Sequence, residues 1–127
     1  MPHAWIEYSK NIAEEPELKT FREGVRDAML ETGIFPVAGL RIRLQEVDCL
    51  VGDGNADNAY IHLKIRIGEG RSADVKQNAA DLIFTRTSTH LKPLADRGPL
   101  AYAFEMQEIP SAYSYKMNNL REYIGKI

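Results

Sequence analysis

Proline in the second position of "MPHAWIEY" is a residue with two unrelated chemistries. While Met1 remains, Pro2 is an ordinary imide; once Met1 is removed, Pro2 becomes a secondary amine fixed to the backbone. Methionine before a small residue is commonly trimmed, so the amine is the expected form. A free α-amine titrates near about 7.7–8.0, and burial beside cations lowers that value further. Such a group is a base at neutral pH and an acid once it holds a proton. The plainer reading is a start-site proline without chemical work, and the residue alone does not choose.

Arginine supplies the second set of chemically useful groups. Arg41 and Arg43 share a strand face by a period of two, and Arg71 stands in a βα connection at "GEGRS". Guanidinium groups pair bidentately with carboxylates and stay charged at any working pH. Convergent arginines suit a di- or tricarboxylate ligand; solvated edge charges or subunit-interface ion pairs are the alternative.

Other motifs carry less. "DGNADN" imitates the start of a calcium loop, but Asn58 stands where the sharp-turn glycine belongs and Lys64 where the closing glutamate should be. "GEGRS" lacks the length and lysine of a Walker loop. His3, His62 and His90 have no zinc or triad spacing, so no metal site is expected. Cys49 is the only cysteine, which excludes an internal disulfide; in "QEVDCLV" it reads as a packed strand residue.

The elements that must hold these groups follow from periodicity. "HAWIEYS" alternates as a strand to about Tyr8, and Leu18, Phe21, Val25, Ala28 and Met29 form a helical stripe stopped by Gly33, with Pro16 in the first turn. "GLRIRLQEVDCLV" is a second strand and "AYIHLKIRI" a third, separated by the turn-rich "VGDGNADN". Ser72 is placed to cap a second helix with a stripe of Val75, Ala79, Leu82, Ile83, Leu91 and Leu94, ending before Gly98-Pro99. "LAYAFEMQE" alternates as a fourth strand, and a short helix near the C-terminus would pack Leu120, Tyr123 and Ile124.

The order predicts an α+β fold: two βαβ units forming one four-stranded sheet, with both helices on the same face because parallel crossovers are right-handed. The other face carries Arg41, Arg43, His62, Lys64 and Arg66, and it faces either water or symmetric copies. With 127 residues, one domain over 1–127 is expected. A net charge of −2 offers no basic field for nucleic acid. No apolar run approaches the ~18 residues of a membrane span and no secretory signal is read, so a cytoplasmic protein is expected.

"MPH", "TGIFPVAGLRIR", "KIRIGEGRS", "FEMQEI" and "KMNNL" together resemble the 5-carboxymethyl-2-hydroxymuconate isomerases of the tautomerase superfamily, over nearly the whole chain. The resemblance implies a tautomerase-like homotrimer, needing no metal or organic cofactor, that acts on a small polycarboxylate in homoprotocatechuate catabolism. It implies Pro2 as the proton-transfer base, with Arg41, Arg43 and Arg71 binding substrate carboxylates. Relatives that use the same proline for hydration or decarboxylation of small unsaturated acids are an alternative, as is a trimeric binding protein without catalysis.

Overall fold

The computed structural model describes residues 2–124. Strand β1 (His3–Ser9) leads through a 3₁₀ turn to helix α1 (Pro16–Glu31), and a loop with a second 3₁₀ turn (Val37–Gly39) enters β2 (Arg41–Val47). Strand β3 (Ala59–Gly68), helix α2 (Ala73–Arg97) and β4 (Leu100–Ile109) repeat the pattern. The sheet order is β2-β1-β3-β4, parallel within each βαβ unit and antiparallel between β1 and β3. The α+β reading therefore holds, with both helices on one face.

Alternation explains which side of each strand is covered. Ala4 and Ile6 of β1, and Ile61, Leu63, Ile65 and Ile67 of β3, are buried beneath Leu18, Phe21, Val25 and Met29 of α1 and Ile83, Leu91 and Leu94 of α2. Edge strands β2 and β4 contribute half-buried Ile42, Leu44, Tyr102, Phe104 and Met106 to the same cluster. Complete burial of side chains of this size stabilises by about 1.5–3 kcal/mol each.

Helix ends follow local chemistry. Pro16 takes the first turn of α1, where a missing N–H costs nothing. Beyond Glu31 the chain reverses at Gly33, whose φ of +76° suits glycine. Ser72 caps α2 by accepting the N–H of Val75 at 3.2 Å. Three arginine contacts and close packing bind the antiparallel helices: Arg86 meets Glu31 at 2.8 Å, and Arg97 meets Glu15 at 2.8 Å and Glu17 at 2.6 Å.

Two expectations are corrected. Cys49 is exposed beyond the end of β2, because β1 stops at Ser9 and Ser9–Val47 is the last pair of that ladder. The C-terminal helix is a single 3₁₀ turn, Leu120–Glu122, and Leu120, Tyr123 and Ile124 remain exposed. The "DGNADN" loop satisfies itself: Asn55 N–H and Asn58 Nδ2 both donate to Asp53 Oδ1, at 3.1 and 2.8 Å.

Candidate active site

Strand register collects four strand ends at one end of the sheet. His3 pairs with Arg41 on one side and Arg66 on the other, while Gly68 pairs with Ile109. The start of β1, the start of β2, the end of β3 and the end of β4 are therefore neighbours. Every connection that leaves or enters there contributes to one cleft of about 420 Å³, lined by Pro2, Pro36, Ala38, Gly39, Arg71, Lys116, Asn118 and Arg121.

Pro2 is buried immediately before β1, and its carbonyl accepts the N–H of Arg41 at 3.3 Å. The 3₁₀ turn Val37–Gly39 forms a wall, entered from Pro36 in extended conformation and held by buried Phe35 and Ala38. Arg71 stands in the short loop before α2. Its Nη1 donates to Gly68 O at 3.1 Å and its Nη2 to Ile34 O at 3.0 Å, while the guanidinium lies 5.2 Å from the Phe35 ring centroid. One cation thus ties the α1–β2 loop to the end of β3. Two of its five N–H groups are engaged, which leaves others to meet an anion.

The sequence-derived candidates separate in space. Pro2 and Arg71 line the cleft together. Arg41 borders it through its backbone, but its Nη1 turns to Ala38 O at 3.1 Å and Leu40 O at 2.8 Å. Arg43 lies outside the cleft on the open sheet face, 4.7 Å from the Trp5 ring centroid and with Nη1 3.3 Å from His3 Nδ1. Burial, then the charges of Arg43, Arg41 and Arg66, holds the His3 imidazole below its ordinary value. Burial and the cations of this face both disfavour the protonated ring.

The C-terminal segment supplies the lining residues that sequence patterning did not single out. Ser111 N–H donates to the Glu69 carboxylate and Asn118 Nδ2 donates to Ala38 O at 3.0 Å, drawing residues 110–121 across the mouth. The "KMNNL" motif contains two of the lining residues, Lys116 and Asn118, but has no periodicity that would have placed them there.

Paired βαβ units, one helical layer and a proline at the head of the first strand define a tautomerase-like protein. A symmetric trimer of fused 4-OT aligns with a TM-score of 0.68 at 18% identity, covering 91% of this chain and 93% of that one, which shows the shared fold. The family described as 5-carboxymethyl-2-hydroxymuconate isomerase matches residues 2–124, and the chain belongs to it. A 5-carboxymethyl-2-hydroxymuconate Delta-isomerase from Escherichia coli is 38% identical over 121 residues, covering 94% of this chain and 96% of the relative. The crystal structure of a 5-carboxymethyl-2-hydroxymuconate isomerase from Deinococcus radiodurans R1 aligns with a TM-score of 0.85 at 29% identity, over 95% of this chain and 92% of that one.

Proposed function

We propose that this chain catalyses the ketonisation for which its family is named, with the Pro2 amine as the proton carrier. The observation that carries the reading is the burial of Pro2 in the cleft that also holds Arg71. Pro2 takes the proton from the 2-hydroxyl of 5-carboxymethyl-2-hydroxymuconate. The oxygen's electron pair forms the C2 carbonyl, the C2–C3 double bond moves to C3–C4, and the C4–C5 pair accepts the proton from Pro2 at carbon 5. No atom is gained or lost. The reaction is a shift of one hydrogen and two double bonds, and it returns the amine to its starting form.

Arg71 provides the electrostatic part. A cation about 4 Å from the developing dienolate contributes on the order of 4 kcal/mol at an effective dielectric of 20. The same charge disfavours protonation of a neighbouring amine, so it keeps Pro2 available as a base. Arg41 holds the turn beside Pro2 through its bonds to Ala38 O and Leu40 O. Arg43, facing away, is assigned to the subunit interface.

We infer further that the chain is a homotrimer. Its open sheet face presents Arg41, Arg43, Lys64 and Arg66 with Glu7 and Glu105, and a second groove of about 800 Å³ runs between α2 and edge strand β4 beside half-exposed Phe84. A symmetric arrangement that covers both is supported by the trimeric state of the fused 4-OT relative. Sedimentation velocity tests it: a species three times the chain mass is expected, and a monomer at micromolar concentration overturns it. For the reaction, loss of the dienol ultraviolet band is followed with protein whose intact mass shows Met1 removed. Saturable turnover is expected, and a rate equal to the uncatalysed one refutes the activity.

A further inference from the structure

We propose that the C-terminal strap, residues 110–121, is the specificity element of this site, and that Lys116 and Arg121 bind the carboxylate of the substrate's carboxymethyl arm. The inference rests on the isomerase reading and assigns a role to a segment which that reading leaves unused.

Within one chain the strap is held over the cleft by polar clips and not by packing. Tyr113, Tyr115 and Met117 are 96%, 93% and 99% exposed in the single chain, so apolar contacts within one chain contribute almost nothing to its position. At its near end Ser111 N–H is bound by the Glu69 carboxylate, whose acidity that bond increases. At its far end Asn118 Nδ2 donates to Ala38 O at 3.0 Å, and Asn118 Oδ1 accepts the N–H of Leu120 at 2.9 Å, fixing the turn that carries Arg121. Ala38 O also receives Arg41 Nη1 at 3.1 Å. One carbonyl therefore uses both lone pairs to join the strap to the wall beside Pro2.

Within one chain the strap is placed by these polar bonds, and the side chains it contributes to the cleft lining are Lys116, Asn118 and Arg121. Two of these three are cationic. Lys116 and Arg121 line the cleft, and among the described residues neither forms an ion pair. The substrate brings three carboxylates, whereas the body of the fold places Arg71 alone as a side-chain cation in the lining, with part of its donor set already spent on Ile34 and Gly68. Arg71 alone does not match three anionic groups. The third carboxylate needs further cations, and the strap brings two.

The prediction is a selective loss. Lys116→Gln, Arg121→Gln and the double variant are assayed with 5-carboxymethyl-2-hydroxymuconate and with 2-hydroxymuconate, the same dienol without the carboxymethyl arm. Both positions are exposed, so folding is retained. The double variant should raise KM for the tricarboxylate about tenfold, as expected for a lost charge-assisted contact, with kcat within about twofold and KM for the dicarboxylate unchanged. Asn118→Ala, a positioning change, should give the same selective rise. Calorimetric binding of inert propane-1,2,3-tricarboxylate should weaken in parallel, independent of turnover. Equal effects on both dienols, or none on either, overturn the inference while leaving the isomerase reading intact. Absence of turnover by the processed parent overturns that reading instead, and unchanged tricarboxylate binding then removes the strap's role as well.

Discussion

The N–H of Arg41 donates to the carbonyl of Pro2 at 3.3 Å, so the residue at the head of β1 is fixed by the first rung of the β1–β2 ladder. The carbonyl and not the nitrogen makes the bond. A proline there loses nothing by having no N–H, since the ladder takes only its carbonyl and leaves the ring nitrogen out of the rung. This answers why a residue that weakens strands can open one.

Replacing Pro2 by alanine separates anchoring from chemistry. Alanine keeps the carbonyl that Arg41 binds, so Pro2→Ala should leave the fold unchanged by circular dichroism and thermal melting. A primary amine is a different base from the pyrrolidine ring and is less constrained. We expect kcat to fall by about 10²–10⁴, the range that a positioned acid–base group supplies. A Pro2→Ala protein as fast as its parent refutes the catalytic assignment.

Arg71 is predicted to be intolerant even of lysine. Its fork donates to Ile34 and Gly68 from two different nitrogens while its guanidinium carbon lies 5.2 Å from the Phe35 ring centroid. Lysine keeps the charge but not the fork, and cannot satisfy both carbonyls and still face a substrate. We expect kcat/KM to drop about ten- to a hundredfold in Arg71→Lys and further in Arg71→Ala, from the loss of charge-assisted hydrogen bonds. Wild-type kinetics in Arg71→Lys would show that a point charge suffices.

Periodicity made the frame readable. The alternation in "AYIHLKIRI" is followed residue by residue in the buried Ile61, Leu63, Ile65 and Ile67. It failed at Cys49 because the end of β2 is decided by where β1 stops, a tertiary fact that no local pattern encodes. For the site, Pro2 and Arg71 were legible through their chemistry. The period that grouped Arg41 with Arg43 describes a sheet face, whereas the cleft lies at the strand ends, so their side chains diverge from it. Lys116, Asn118 and Arg121 were not legible, since two side-chain clips to Glu69 and Ala38 position them and neither leaves a repeat in the sequence.

The helical layer offers a test of packing apart from catalysis. A Cβ built on Gly24 of α1 would lie 2.5 Å from His90 Nε2 and 2.6 Å from Cδ2 of the same ring. Glycine is needed here for close approach. In a helix, alanine is otherwise favoured by about 0.8–1 kcal/mol. Gly24→Ala should therefore stabilise a His90→Ala protein by about that amount and be neutral or destabilising with His90 present. Urea denaturation of the four proteins reads the coupling, and an identical Gly24→Ala effect in both backgrounds would show that the histidine ring moves aside freely.

The last test concerns acid stability, through Arg97 at the far end of the same layer. The Arg97 side chain donates to Glu17 and Glu15, and its hydrogen bond to Glu17, followed by one from the Glu17 backbone and by the Arg97 charge, holds the Glu17 carboxyl down at about 2. A carboxyl whose folded value lies below its unfolded value of about 4.3 binds protons more readily in the unfolded chain. Its contribution to stability is complete above that unfolded value and is lost as pH falls from about 4.3 toward 2. Glu17→Gln has no proton to take up and lacks this dependence. The urea midpoint of Glu17→Gln should thus lie below that of the parent at pH 7, and the difference should shrink through the window and vanish near pH 2. The effect is small because the pair is at the surface, where water and salt screen it. A difference that stays constant from pH 7 to pH 2 would mean that Glu17 acts by packing and not by charge.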